Sequence, residues 1–427
     1  MSSFTIKEHR IPASYIREFP YALANNQEDT LYLAVKQYIP IDNPNPRPGD
    51  ITIIGAHANG FNKELYEPLW EDLLTQSKKH NFRIRSIWIA DVAHQGWSSV
   101  LNEDKLGNDP GWYDHPRDLT HFINLKRDEM PRPLFGLGHS MGGNNLVNVS
   151  LFNPRLFTGL ILLDPVVQPK TAELPPAGTV STTPNIARLS TFRRDIWSSR
   201  EEAAKLFLKS PFYQKWDKRV FDRWISHGLR DCPTLLHPDA KPPQVTLTTS
   251  VSNEVRTFMR PNYEGYGSKT GKINRDTHPD IDPSNPITFP FYRSEAPRTF
   301  ARLPELRPSV LYIFGSESDV SADELNEAKL AATGVGVGGS GGRAEGRVKG
   351  VTLQGVGHLI AMEAAERTAV ETSEWIEGEM VRWRKQEEEW EQNWRSIPLK
   401  EKQGIDEKWK EMMGGDPRKK KQKDAKL

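Results

Sequence analysis

A single cysteine, Cys232, in 427 residues excludes an internal disulfide framework and suits a reducing compartment. No Cys/His cluster of the zinc type occurs, so no metal is expected. An excess of one charge is also missing. The 57 Lys and Arg stand against 56 Asp and Glu, a formal net charge of +1. That balance offers no broad basic face to nucleic acid or to an anionic membrane. No apolar run approaches the roughly 20 residues that span a bilayer. Met1 to Arg10 carries no apolar core of a secretory signal. These absences predict a soluble intracellular globular protein with no transmembrane segment and no nucleic-acid partner.

What is present begins with alternation. Leu31 to Ile39, Ile51 to His57, Phe82 to Asp91, Pro133 to Gly138 and Leu156 to Leu163 read as strands. Helical patterns, Asn62 to Lys79 and Pro116 to Lys126, lie between them. This order predicts a mostly parallel α/β sheet covered on both faces. The pattern stops after Asp164 and resumes at Ser309 to Gly315, followed by a helix from Ala322 to Ala332 and a strand from Val348 to Leu353. A long charged helix, about Ala361 to Arg395, comes last. Between the two halves lie helices near Ser198, where Ser198-x-x-Glu201 resembles a capping box, and over Phe212 to Leu229. A short strand is expected at Val245 to Thr249, and loop over Tyr263 to Pro290. We therefore expect a core at 1–164 and 309–396, a helical lid or cap insertion at 165–308, and a charged tail at 397–427.

The segment Pro133 to Gly143 reads P-L-F-G-L-G-H-S-M-G-G. A strand, a G-x-S-x-G turn and a helix in that order form the setting of a nucleophile elbow, with Ser140 at its tip. Glycine at 138 and 142 leaves room for a turn too sharp for side chains. The hydroxyl would stand at a helix N-terminus, where developing negative charge is favoured.

A serine hydroxyl needs an adjacent base. His358, in G-V-G-H after the last strand, fits that role. His139 lies inside the elbow and would point away from the nucleophile, and His57 ends an earlier strand. A carboxylate must orient the base, and two stand in the required order. Asp319 follows the strand Val310 to Phe314, whereas Asp164 ends the strand before it; Glu317 is a weaker third. Oxyanion donors would be the backbone N–H of Met141 and that of Asn59, with Ala58 as the alternative, in His57-Ala58-Asn59-Gly60. The glycine-rich Gly334 to Gly342 lacks the Lys-Ser/Thr ending of a phosphate loop and reads as a flexible connection. Trp197, Trp216 and Trp224 read as core, or as the lining of an apolar acyl pocket.

The tail ends Ala425-Lys426-Leu427, a conservative variant of the peroxisomal Ser-Lys-Leu address. It makes a peroxisomal import receptor an expected partner. The basic run Arg418 to Lys423 competes as a nuclear signal or a solvated tail, leaving nucleus or cytoplasm as the other destinations.

Together these strings resemble the α/β-hydrolase family. The stretch G-A-H-A-N-G-F-N-K-E-L-Y-E-P-L-W at Gly55 to Trp70, with D-V-A-H-Q-G-W-S-S, N-D-P-G-W-Y-D-H-P-R-D-L and L-L-D-P-V-V, resembles a fungal group of peroxisomal lipase/esterase-like hydrolases that includes enzymes of toxin biosynthesis. The resemblance reaches to about Trp383. It implies an acyl-enzyme mechanism on a small-molecule acyl substrate, with no cofactor. It also favours Asp164 over Asp319, because members of that group keep an acid in the slot of Asp164. The expected function is a serine esterase, lipase or thioesterase acting on an apolar acyl group. An enzyme of the same fold with C–C hydrolase or lyase chemistry, or a non-catalytic binding module, would look similar at this level.

Overall fold

The computed structural model describes residues 3–169, 186–264, 273–282 and 290–415. The tail tripeptide Ala425-Lys426-Leu427 and much of the loop expected at Tyr263 to Pro290 lie outside them. The chain divides into two compact units, Met1–Glu377 and Gly378–Leu427.

The first unit is built on an eight-stranded sheet. Its members are β1 (Phe4–Pro12), β2 (Tyr32–Pro40), β3 (Ile51–Ala56), β4 (Ile84–Ala90), β5 (Leu134–His139) and β6 (Gly159–Leu163), joined late in the chain by two more. The intervening segment contributes the short strands β7 (Ile196–Trp197), β8 (Leu229–Asp231), β9 (Val245–Leu247), β10 (Arg260–Pro261) and β11 (Phe291–Tyr292). The sheet is then completed by β12 (Ser309–Gly315) and β13 (Val348–Leu353), in the order β1-β2-β4-β3-β5-β6-β12-β13. β1 pairs antiparallel with β2, and β2 antiparallel with β4; from β4 to β13 the sheet is parallel. Every residue of β3, β5, β6 and β12 is buried, as expected for parallel strands covered on both faces. β1 was not foreseen. It is an edge strand whose exposed Lys7, Glu8 and Arg10 discourage pairing with another chain.

Several expected elements are shifted. Asn62 to Lys79 is a 3-10 turn, Lys63–Tyr66, and then a helix, Glu67–Ser77, with proline in its first turn. Phe212 to Leu229 is broken into Pro211–Gln214 and Lys218–His227, because Asp217 caps the second piece by accepting from the Arg219 N–H at 2.8 Å. The cap of Arg200–Phe207 is Ser199, which accepts from Glu202 N–H, one residue later than the expected box. The long C-terminal helix is divided at Ala364 into Ile360–Glu363 and Ala365–Trp390.

The glycine run corrects an expectation of flexibility. Gly334 and Gly336 donate to the carbonyls of Leu303 and Pro304 at 2.9 and 2.8 Å, and Ser340 donates to Leu306 at 3.1 Å. These bonds make 334–342 a fitted connector, with its backbone satisfied by the turn Leu303–Glu305 and the residue after it.

Residues 165–308 enter directly after β6 and leave directly before β12. Their helix Val251–Phe258 meets the loops that follow β3 and β4. Arg260, fully buried, binds the Asp109 carboxylate at 2.7 and 2.6 Å and lies 3.3 Å above the Phe19 ring. Trp197, Trp216 and Trp224 are buried among Phe207, Tyr213 and Phe221. Phe61, two residues past Asn59, packs against both Trp216 and Trp224.

The second unit carries the end of the long helix, a π turn over Glu391–Arg395, and two short helices, Leu399–Gln403 and Glu407–Met412. No helix among the described residues is long and apolar enough to cross a membrane.

Candidate active site

The turn between β5 and the helix Met141–Phe152 holds Ser140 at φ +56° and ψ −116°. A non-glycine residue there is strained by about 1–3 kcal/mol, so its surroundings must hold it. They do so by hydrogen bonds: Ser140 N–H donates to Leu163 C=O at 2.9 Å, and Val166 N–H donates to Ser140 C=O at 3.1 Å. The elbow is thereby laced to the chain on either side of Asp164. Packing explains the flanking glycine. A β-carbon at Gly142 would sit 2.1 Å from the carbonyl oxygen of Ala56. Gly142→Ala is expected to cost about 3 kcal/mol or more, because backbone blocks it and cannot rotate away. A thermal melt should show a loss of several degrees; an unchanged Tm would contradict the packing argument.

Asp164 is the second strained residue, at φ +42°. Its N–H donates to Ile313 C=O at 2.8 Å, so β12 fixes the end of β6. His358 reaches both. Its Nδ1 lies 2.6 Å from Asp164 Oδ2 and its Nε2 lies 2.9 Å from Ser140 Oγ. Asp164 can only accept when ionised, so Nδ1 carries the proton and Nε2 is left to accept from the serine hydroxyl. Burial opposes ionisation of Asp164. The hydrogen bond and charge of His358 and the hydroxyls of Ser318 and Ser321 outweigh it, holding the carboxyl below its ordinary range.

The other acid candidates are elsewhere. Asp319 is exposed on the turn after β12, and Glu317 is exposed and pairs with Lys215 at 3.0 Å. Of the three carboxylates weighed, the structure brings Asp164 to the histidine.

The loop after β3 carries the expected donors. Ala58 N–H is occupied, donating to Tyr66 Oη at 2.9 Å. Among the described residues, the N–H groups of Asn59 and Met141 meet no protein acceptor. The Asn59 side chain anchors the loop. Its Nδ2 donates to Glu254 C=O at 3.0 Å, and its Oδ1 accepts from Gln95 Nε2 at 2.7 Å. Gln95 Oε1 also accepts from Gly60 N–H at 2.8 Å.

Two further histidines hold this loop. Burial brings His139 down to about 3, so it is neutral. Its Nε2 lies 2.9 Å from the His358 carbonyl, an acceptor, so Nε2 carries the proton. Nδ1 must then accept, and Tyr66 Oη donates to it at 2.9 Å. The resulting chain runs from Ala58 N–H through Tyr66 and His139 to the backbone of His358. It joins the β3 loop to the histidine loop behind the nucleophile. His57, also neutral by burial, donates from Nδ1 to its neighbour's carbonyl at 2.8 Å and accepts from Val92 N–H at 2.9 Å.

Ser318, Ser321, Tyr66 and Gln95 were not foreseen. Ser318 and Ser321 flank Asp319 in sequence, but the acid their hydroxyls bind is Asp164, 154 and 157 positions away. Tyr66 and Gln95 had no local signal: Tyr66 joins Ala58, eight positions away, to His139, 73 away, and Gln95 joins the Asn59–Gly60 loop to Thr257.

The model of the Alpha/beta hydrolase family matches residues 53–371. The chain is 42% identical over 422 residues to the Type I acyl-CoA thioesterase mpaH of Penicillium brevicompactum, covering 95% of this chain and 94% of that protein. It is 26% identical over 258 residues to the Abhydrolase domain-containing protein AFT2-1 of Alternaria alternata, covering 60% and 87%. In fold it is similar to the peroxisomal alpha-beta-hydrolase Lpx1 of Saccharomyces cerevisiae, with a TM-score of 0.67 at 17% identity over 100% of this chain and 99% of that one. With strand order, elbow and family match in agreement, the chain belongs to the alpha/beta hydrolase family.

Proposed function

We propose that this protein is a serine hydrolase that cleaves the thioester of an acyl-CoA bearing an apolar acyl group. The observation that carries the reading is the continuous line Ser140 Oγ, His358 Nε2, His358 Nδ1, Asp164 Oδ2, at 2.9 and 2.6 Å. The thioester preference is supported by the 42% identity to an acyl-CoA thioesterase along nearly the full chain.

His358 Nε2 takes the hydroxyl proton as Ser140 Oγ attacks the thioester carbonyl carbon. The carbonyl oxygen becomes an oxyanion, which the Met141 and Asn59 N–H groups receive. The C–S bond then breaks, and the CoA sulfur leaves as a thiol with the proton from His358. Water, giving a proton to His358, attacks the acyl-serine; the acyl–Oγ bond breaks, His358 returns the proton to Ser140 Oγ, and the carboxylic acid is released. Asp164 stabilises the imidazolium at each step. In this reading residues 165–308 act as the lid or cap, with the aromatic cluster around Trp216 and Trp224 beside the acyl group. The tripeptide Ala425-Lys426-Leu427 directs the enzyme to the peroxisome through its import receptor.

The test is release of free CoA thiol from a panel of acyl-CoA esters of increasing chain length, alongside oxygen esters of the same acids. Saturable CoA release, preferring apolar chains, is expected. Turnover of the oxygen esters alone would replace the thioesterase reading with an esterase one, and no turnover of either class would sink both.

A further inference from the structure

We propose that Lys329 is a positioning residue of this site, whose buried ammonium offsets part of the Asp164 charge and so keeps His358 in its base form to lower pH. The inference rests on the reading of Asp164 and His358 as acid and base. Lys329 belongs to the helix Asp323–Ala332, which follows β12, and its side chain is fully buried. Among the described residues it forms no ion pair within salt-bridge distance. Its Nζ has a neutral acceptor, Asn326 Oδ1, at 3.4 Å, and the face of Phe314 at 5.4 Å. A buried ammonium with so little compensation is costly, and a methionine of similar length would fill the space without that cost.

A chain of contacts leads from this lysine to the acid. Asn326 Nδ2 donates to Ser321 C=O at 3.3 Å, and Ser321 Oγ donates to Asp164 Oδ1. The charged partner that acts on Lys329 is Asp164 itself. The nearby Tyr312 is neutral and donates or accepts with Thr333 at 2.7 Å. Facing the His358 side are Asp164, neutral His139 and Ser140, while Glu363 accepts from Gly357 N–H at 2.8 Å. Lys329 is therefore the cation available to act on the Asp164–His358 pair among these groups.

The sign follows from charge. Asp164 stabilises imidazolium. A positive charge near Asp164 weakens that stabilisation, so the neutral ring persists to lower pH. Burial brings Lys329 down to about 8, and the charge of Asp164 pulls the other way. The effect is therefore present on the acid side of the profile and fades as pH rises through about 8.

The experiment compares kcat/KM against pH for the wild-type full chain, Lys329→Met and Lys329→Gln. The acid limb is expected to move to higher pH by about half to one unit in both variants, with the curves converging at alkaline pH. A role confined to packing would lower the plateau and leave the limb in place, and that result would overturn the proposal. The ring resonance of His358, titrated by NMR in Ser140→Ala and in Ser140→Ala combined with Lys329→Gln, reads the same quantity without turnover. An unmoved midpoint overturns the proposal. Absence of turnover in the wild type would instead count against the hydrolase reading, leaving the NMR titration to decide on Lys329.

Discussion

Replacing Ser140 by alanine is expected to lower kcat by about 10⁵-fold or more while leaving the fold intact. The hydroxyl is the one group aimed at the His358 Nε2, 2.9 Å away, and alanine offers nothing to attack the carbonyl. What remains is binding and the oxyanion donors, which act on a reaction that now lacks its nucleophile. Backbone strain is little changed, since alanine at φ +56° is also strained, and the variant should melt within a few degrees of the wild type. A fluorophosphonate probe followed by peptide mass spectrometry should place an adduct on Ser140 in the wild type and none in the variant. Retention of more than about one per cent of activity by a pure variant would rule out Ser140 as the nucleophile.

Asp164→Asn is expected to lower kcat by about 10⁴-fold, whereas Asp319→Asn should change it by no more than about threefold. The carboxylate accepts from His358 Nδ1–H at 2.6 Å and so reserves Nε2 for the serine proton. An asparagine can instead present its NH₂ to Nδ1. That drives the ring proton to Nε2, where it can no longer accept from Ser140. Asp319, on the exposed turn, has no such hold on the ring. The same pair of variants tests stability. The folded Asp164 carboxyl is held below its ordinary range, so its contribution is present above the unfolded value and lost as pH falls through the folded one. Asp164→Asn should therefore lower the melting temperature at neutral pH and differ less from wild type in acid. Equal losses of kcat in both variants would undo the assignment of the acid.

The parts of the site that were legible in the sequence are those governed by short-range sterics. P-L-F-G-L-G-H-S-M-G-G compresses a strand, a strained turn and a helix into eleven residues, and the glycine at 142 is demanded by backbone 2.1 Å away. G-V-G-H after a final strand marked His358 in the same way. The parallel strands were readable because burial on both faces leaves continuous apolar runs such as Ile51–Ala56. Less legible was the segment from Pro165 to Pro308, where Asp217 and Ser199 decide helix starts by single capping bonds that a periodicity cannot register.

The chain's own order of residues determined a doubly covered parallel sheet, a serine at a strained elbow and a histidine after the last strand, since each follows from local backbone demands. It left the acid divided between Asp164 and Asp319, because one ends a strand and the other follows the next strand, both in the required order. Only in the tertiary structure is one of them brought to the histidine ring, through the pairing of β6 with β12 that holds Asp164 there. The tertiary structure also decided that Ala58 N–H is spent on Tyr66 while, among the described residues, Asn59 N–H meets no acceptor, and that a lysine lies buried near the acid. These outcomes depend on contacts between residues from eight to about 150 positions apart, which sheet register and packing set rather than any periodic pattern.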